Sequence, residues 1–335
     1  MINILIQRYR KQVGYKAGSE NMLIYVCKRL LSIIPVVIGI SIFAFFIGYL
    51  SPGDPARAAL TRSEFVQEEI SEELVETKRK ELGLDKPFLI QYTRWASQIV
   101  QGDFGRSMVD NRDIVTVFSQ QLPCTIKLAV SSIVFSTILG ILLGILAYSF
   151  YDCIIGKGLN FFISIIISVP GFWLSLILIS LFSVRFHILP TSGYEGLSSL
   201  IMPVIVLSLS SIGTTARLMC ASLLKERNQL YVVNLISKGL QEEYIVFHHM
   251  LKNAIIPIVT VSGNRLAGIL GGAAIVESIF SLPGIGSYVL NAISNRDYYV
   301  VQAFVIYMGI IYVLISLITD MIYFAINPKM RGDWQ

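Results

Sequence analysis

Residues 30–50 read LLSIIPVVIGISIFAFFIGYL and contain fourteen Leu, Ile, Val or Phe side chains and no charge. At about −0.3 to −0.6 kcal/mol for each of these side chains, the stretch favours membrane insertion by roughly 4–8 kcal/mol. It is too long for the apolar core of a signal peptide, and no small-residue cleavage site follows it. We therefore predict that it is a transmembrane helix.

The composition of the whole chain also indicates a membrane protein. Of its 335 residues, 54% are hydrophobic and 15% are charged, whereas a soluble domain usually carries about 25% charged residues. The apolar residues fall in long blocks, and five further blocks are long enough to span a bilayer. These blocks are residues 126–148, 159–182, 200–215, 254–274 and 301–326. We expect an all-α polytopic membrane protein with six transmembrane helices.

Basic residues predict the orientation of these spans. Six Lys or Arg residues precede the first span, and by the positive-inside rule they place the N-terminus in the cytoplasm. An even number of spans returns the C-terminus to the cytoplasm, and Lys329 and Arg331 in the tail agree. The predicted divisions are a cytoplasmic basic segment (1–29), the first transmembrane helix (30–50), a small extracytoplasmic cap (51–125), a five-helix transmembrane core (126–326) with a cytoplasmic coupling segment (217–253), and a cytoplasmic tail (327–335).

The positive charge and the cysteines do not suggest other ligands. The net charge is +5, but Lys and Arg lie near the ends of spans and form no continuous basic stripe, so we expect no nucleic-acid partner. The four cysteines are far apart and form no CxxC pair, which argues against a disulfide framework or a thiolate metal site. We expect no metal and no cofactor bound by this chain.

The cytoplasmic segment 217–253 is the most informative part of the chain. Residues 231–237 favour a helix, and Gly239 can end it with a turn. After this glycine, apolar residues follow i, i+4, i+7 and i+11 spacing, which predicts a second helix with a one-sided stripe. The stripe consists of Leu240, Tyr244, Phe247 and Leu251. We predict a helix–turn–helix at the membrane surface that inserts as a knob into a cleft on a cytoplasmic partner.

Polar groups within spans are costly and are therefore candidates for function. Asn264 and Arg265, in the fifth span, either line the translocation path or its gate, or lie near the membrane boundary, where Arg can snorkel. Glu277, near the outer end of that span, either contacts substrate or holds the Pro–Gly turn that follows it. The GxxxG patterns at 140–144 and 268–272 predict close helix packing in lipid.

Five stretches of the chain, taken in order, resemble one family of membrane proteins. They are Pro52-Gly53-Asp54-Pro55-Ala56; Leu82-Gly83-Leu84-Asp85-Lys86-Pro87 with Gln91-Tyr92; Gly102-Asp103-Phe104-Gly105; Lys238-Gly239-Leu240 with His249, Asn253 and Pro257; and Gly271-Gly272, Glu277, Phe280, Pro283-Gly284-Ile285-Gly286 and Asn295-Arg296-Asp297-Tyr298. They are similar to binding-protein-dependent ABC importer permeases of the oligopeptide, dipeptide and nickel branch. The fourth stretch resembles the cytoplasmic "EAA" loop of these permeases.

The resemblance implies a type I ABC importer permease fold and a path for peptides across a bacterial or archaeal cell membrane. It implies the first permease of a heterodimer, acting with a second homologous permease, two cytoplasmic ATPase subunits and an extracytoplasmic solute-binding protein. ATP and Mg would bind to those ATPases, since this chain lacks a GxxxxGK[ST] loop. The implied ATPase-coupling residues are Arg217, Tyr231, Ser237, Lys238, Gly239, Leu240, His249, Asn253 and Pro257.

Two alternatives stay open at this point. The same family includes permeases for nickel and metal chelates, so the substrate can be of that kind. A self-contained channel or secondary transporter is an alternative of another class, but we find no internal repeat, and a cytoplasmic knob would serve no purpose without a motor. An intramembrane enzyme is disfavoured because the chain has no HExxH motif and no GxSxG motif in a span.

Overall fold

The computed structural model describes residues 22–50, 56 and 72–326. In this part of the chain the helices are α1 (Met22–Tyr49), α2 (Glu72–Leu82), α3 (Phe88–Val100), α4 (Ile114–Ser149), α5 (Ile154–Ser168), α6 (Gly171–Leu178), α7 (Ser198–Arg227), α8 (Leu230–Ser237), α9 (Glu242–Ile245), α10 (Leu251–Ala254), α11 (Ile256–Gly272), α12 (Ala274–Ile279), α13 (Ile285–Ser294) and α14 (Tyr298–Ile326). Two π-helical segments, Ile179–Arg185 and Val246–Met250, continue α6 and α9. Most of the predicted basic segment, most of the first motif and the predicted tail lie outside the described residues.

Within the described residues, three helices are long and apolar enough to cross a membrane: α4, α7 and α14. Two bent pairs each have the length and composition of one further span. They are α5 with α6 and its π-helical extension, bent by 92°, and residues 242–254 with α11, bent by 45°. The structure therefore confirms a mostly helical protein with three to five candidate spans. The count of six and the side of each terminus stay predictions.

The predicted third span, 159–182, is not one straight helix. The chain leaves helical geometry at Val169, whose φ of −71° and ψ of 120° are extended, and Pro170 precedes the first residue of α6. Proline disfavours a helical conformation in the residue before it and donates no backbone hydrogen bond, so the break falls here. The 92° bend makes this pair either a broken span or a re-entrant loop.

Two other helices extend beyond the predicted spans. Helix α4 begins at Ile114 because the Asp113 carboxylate caps it, accepting a hydrogen bond from the Thr116 backbone N–H at 2.8 Å. Helix α7 continues to Arg227, so the first eleven residues of the predicted coupling segment still belong to this long helix.

Helices α4 and α7 pack closely where α4 carries glycine, which has no side chain. A Cβ atom on Gly144 of α4 would lie 2.7 Å from the Ala216 carbonyl oxygen and 2.5 Å from the Met219 Cβ of α7. The first GxxxG pattern therefore packs as predicted. By contrast, a Cβ on Gly268 of α11 would meet no described atom within 4 Å, so the described residues do not make the packing predicted for that glycine.

The first and last helices are neighbours. The Gln302 side-chain amide of α14 donates a hydrogen bond to the Phe45 carbonyl of α1 at 3.5 Å. A Cβ on Gly309 of α14 would lie 2.8 Å from the Ile40 Cδ1 atom of α1. The start and the end of the described chain thus support each other.

Candidate coupling segment and translocation residues

The helix–turn–helix predicted after α7 is present, and Gly239 makes its turn. This residue has a φ of +82°, which side chains with a Cβ rarely adopt. The Gly239 N–H donates to the Ile236 carbonyl at 2.9 Å and the Leu240 N–H donates to the Leu235 carbonyl at 3.3 Å. This pair of bonds is the Schellman arrangement that closes a helix with glycine after its last turn.

Three polar residues fasten the coupling segment to the end of α7. The Tyr231 hydroxyl donates to the Glu226 carboxylate at 2.5 Å, and the Asn253 amide donates to the same carboxylate oxygen at 3.1 Å and to the Tyr231 hydroxyl at 3.3 Å. Burial and the hydrogen bond to Glu226 raise the pKa of Tyr231 to about 12. The phenol is therefore protonated at neutral pH and donates to the carboxylate. Tyr231 and Asn253, both predicted coupling residues, are brought together by a glutamate that the prediction did not include.

A second polar cluster joins the same segment to the end of α4. The Tyr148 hydroxyl donates to the Glu242 carboxylate at 3.2 Å. Arg227 lies 3.8 Å from that carboxylate and 3.4 Å from the carboxylate of Asp152. Both ion pairs are largely exposed, so each contributes little to the free energy of folding by itself. The predicted coupling residue Arg217 points elsewhere and donates to the Ser164 hydroxyl of α5 at 3.0 Å.

The coupling segment has one buried face and one exposed face. The buried face packs on α4 and α7 as part of the largest apolar cluster of the described chain. Its members after α7 are Val232, Ile245, Val246 and Met250 in the segment, and Ala254 directly after the segment. We call the opposite side the knob face, and it consists of Leu230, Val233, Ile236, Leu240, Tyr244 and Phe247. These six side chains are 37% to 81% exposed, and several exposed large apolar side chains on one short helix pair are typical of an interaction site.

The remaining predicted coupling residues lie around the knob face. Lys238 follows the last residue of α8 and is exposed, and the Ser237 hydroxyl donates back to the Val233 carbonyl at 3.0 Å. The His249 ring lies 5.9 Å from the ring of Tyr244, measured between centroids. Pro257 is in the first turn of α11, directly after the 45° bend.

The structure separates Asn264 from Arg265, which the sequence treated as a pair. The Arg265 guanidinium donates to the Ser211 carbonyl at 2.9 Å, to the Thr215 hydroxyl at 3.3 Å and to the Thr214 hydroxyl. It therefore ties α11 to α7. Asn264 is exposed on another side of α11. The role of Asn264 in the translocation path or its gate stays a prediction.

Glu277 is fully buried, with 0% of its surface exposed. Its carboxylate accepts hydrogen bonds from the Thr125 hydroxyl at 2.8 Å and from the Ser287 backbone N–H at 3.0 Å. The Thr125 hydroxyl also accepts the Ile285 N–H at 3.0 Å. These contacts hold the Pro–Gly turn that precedes α13, which is the second of the two roles considered for this residue.

A second buried carboxylate, Asp297, was quoted in a motif but was given no role. It is 1% exposed and accepts hydrogen bonds from the Ser107 hydroxyl at 2.5 Å and from the backbone N–H groups of Met108 and Val109 at 2.7 and 3.3 Å. It thus anchors the loop before α4 to the turn before α14. No local sequence signal pairs residues so far apart in the chain.

Family models match almost the whole described chain. The model of the binding-protein-dependent transport system inner membrane component matches residues 123–332, and the model of the N-terminal part of such a membrane component matches residues 22–129. The chain belongs to this family of permeases. It is therefore a multi-pass membrane protein and a permease component of an ABC importer.

Similar proteins cover this permease nearly end to end. It is 35% identical over 316 residues to a probable peptide ABC transporter permease protein, y4tP, of Sinorhizobium fredii, a match that covers 92% of this chain and 99% of the relative. It is also 35% identical over 311 residues to the glutathione transport system permease protein GsiC of Escherichia coli K12, with the same coverage.

Solved structures support the fold alone. The permease is similar to a chain of the MetNI methionine ABC transporter in inward-facing conformations, with 19% identity and a TM-score of 0.53 in one crystal form and 18% identity and a TM-score of 0.55 in another. The matches cover 64% and 63% of this chain and 97% and 96% of the solved chain. This likeness agrees with the type I permease fold that the sequence resemblance implied.

Proposed function

We propose that this permease forms one half of a path for small peptides in an ATP-driven importer. The proposed partners are a second homologous permease, two cytoplasmic ATPases that bind ATP and Mg, and an extracytoplasmic solute-binding protein. The substrate class is supported by the relatives named for peptide and for glutathione, which is itself a small peptide. These names favour peptides over the nickel or metal-chelate alternative.

The knob face carries the proposal. A short helix pair that buries one apolar face on the permease core and exposes another, rich in Leu, Val and aromatic side chains, fits a cleft on a second protein. A channel or secondary transporter has no need of such a surface. In the proposed complex one ATPase receives the knob face of this chain. The rigid attachment of the coupling segment to α7 then transmits the motion of that ATPase to the permease.

We place both termini in the cytoplasm, with α1 as the first of six spans. In this topology the knob face and the Tyr231–Glu226–Asn253 cluster lie on the cytoplasmic side, and α2 and α3 lie outside. ATP-driven closure of the ATPase pair displaces α8 to α10 and, through the cluster, the end of α7. Arg265 passes that movement to α11, and the path opens outward to receive the peptide from the binding protein.

Substitution of Gly239 tests the coupling role. A Cβ atom at this position would meet no described atom within 4 Å, so in the proposed complex Gly239→Trp adds its bulk at the turn that enters the ATPase cleft. We expect membrane insertion to continue and ATP-dependent peptide uptake to be abolished. Gly239→Ala is the matched control because it imposes the same backbone strain without the bulk. Normal uptake by the Trp variant, or equal loss in both variants, would count against docking at this turn.

A further inference from the structure

Helix α3 follows the predicted first span by forty residues and yet packs along its side. The ring of Phe45 in α1 lies 5.3 Å from Phe88, 5.8 Å from Tyr92 and 5.2 Å from Trp95, measured between centroids. The hydroxyl groups of Tyr92 and Ser41 are 2.8 Å apart. Ser41 is eight residues before the end of α1, which is roughly 12 Å along a helix. Helix α3 therefore lies beside the last two turns of α1 and not above its end.

Beside its aromatic side, helix α3 carries an apolar strip that no described residue covers fully. Leu89 is 71% exposed and Val100 is 87% exposed, and no residue of α3 is fully buried. Leu89 and Val100 follow i, i+11 spacing, so they share one side of the helix, and the partly exposed Ala96 lies between them. The exposed polar residues Thr93 and Ser97 lie on the adjoining side, so the strip forms one edge of the helix.

The polar residues of α3 lie on a different side. Gln91, Arg94 and Gln98 line a cavity of about 590 Å³ that α3 shares with α1, the end of α2 and the start of α14. The helix thus has polar residues toward this cavity, aromatic residues toward α1, and an exposed apolar strip at Leu89 and Val100 beside the aromatic residues. This division is typical of a helix that lies in the plane of a membrane boundary.

The neighbouring helix α1 also exposes large apolar side chains. Phe43 is 60% exposed and Phe46 is 45% exposed on a helix that faces the bilayer. The aromatic contacts between the helices involve Tyr92 and Trp95, residue types that concentrate at the boundary between lipid and water. We propose that α3 is an interfacial helix at the membrane boundary where α1 ends, with Leu89 and Val100 in contact with lipid.

Spin labels on single cysteines test the position of α3. The exposed Cys153 is replaced by Ser, and this parent measures any label taken up by Cys27, Cys124 and Cys220. The test variants are Leu89→Cys and Val100→Cys, the lipid reference is Leu142→Cys on α4, and the water reference is Thr77→Cys on α2; all four positions are exposed. The full chain, with the partners it retains, is reconstituted in liposomes, and each labelled variant is checked for transport.

Collisions with oxygen, which concentrates in lipid, are compared with collisions with nickel-EDDA, which stays in water. We expect the ratio of oxygen collisions to nickel-EDDA collisions at positions 89 and 100 to be several-fold higher than at position 77. This ratio should approach the value measured at position 142. A ratio equal to that at 77 would place α3 in water and overturn the proposal. Low collision rates with both reagents would mean that protein covers this surface, which would also overturn it.

Discussion

Asp297 and Glu277 are carboxylates with almost no exposed surface, and each one joins stretches of chain that are distant in sequence. A buried carboxylate is tolerated only where donors satisfy it. Asp297 receives one hydroxyl and backbone N–H groups from the loop before α4, whereas Glu277 receives a hydroxyl from α4 and backbone N–H groups from the start of α13. Both residues are best understood as anchors of turns rather than as groups that meet the transported solute.

Asp297→Asn should lower the free energy of unfolding by about 1.5–3 kcal/mol, because the amide replaces a charged acceptor of several hydrogen bonds with a weaker one. Heat-induced unfolding in mild detergent measures the change. Asp85→Asn is the matched control because it makes the same substitution at an exposed aspartate, and we expect its effect to stay within about 0.5 kcal/mol. Equal unfolding temperatures for the two variants would show that the anchor contributes no stability.

Some site residues were predictable from the sequence and others were not. Gly239 was identifiable because a glycine after a helical pattern signals a turn. Arg265 was identifiable as an unusual charge in a span, but its partners on α7 are fifty residues earlier in the chain, and no local pattern names them. Glu226 was overlooked because a glutamate among charged residues at a helix end looks like ordinary solvated surface.

At the scale of elements, the apolar blocks predicted where helices lie but not how they bend. Pro170 is visible in the sequence, yet a proline can kink a helix slightly or end it. The outcome here, a 92° bend, depends on what α5 and α6 pack against. Likewise the length of α7 was underestimated because its final turns are polar and lie beyond the apolar block.

The two GxxxG patterns predict opposite results for the same substitution. Gly144→Ala forces a Cβ into the Ala216 carbonyl, which cannot rotate away, and overpacking of this kind costs about 1–3 kcal/mol. Gly268→Ala meets no described atom within 4 Å, and alanine favours a helix over glycine by about 0.5–1 kcal/mol. The unfolding temperature in mild detergent should therefore fall for the first variant and not for the second. A fall of equal size in both would contradict the packing of α4 on α7.

At the scale of the whole molecule, several surfaces remain uncovered within a single chain. The knob face is one, and the side of α11 that carries Asn264 and Gly268 is another. In the proposed complex the first receives an ATPase and the second a sister permease. Apolar periodicity indicated part of the knob face, at Leu240, Tyr244 and Phe247, but it did not indicate the side of α11, because exposure depends on which neighbours the chain itself provides.

Purification from the native membrane in mild detergent tests this larger assembly. We expect a second permease, two ATPases and a solute-binding protein in constant ratio, together with ATP hydrolysis that the purified complex performs and this chain alone does not. Recovery of the chain alone or as a homomer, with uptake that is indifferent to ATP, would contradict the importer and favour a channel or secondary transporter.

The anchor at Asp297 also has a consequence for how the molecule is made. The loop that it holds is synthesised 190 residues earlier, and at about 5–20 residues per second a ribosome needs roughly 10 to 40 s to reach the aspartate. During that time no carboxylate accepts hydrogen bonds from Ser107 and the neighbouring backbone N–H groups, and α1 has no α14 beside it. A chain that terminates early therefore keeps its first loop and first helix unsupported, and proteases of the cell can recognise it as incomplete.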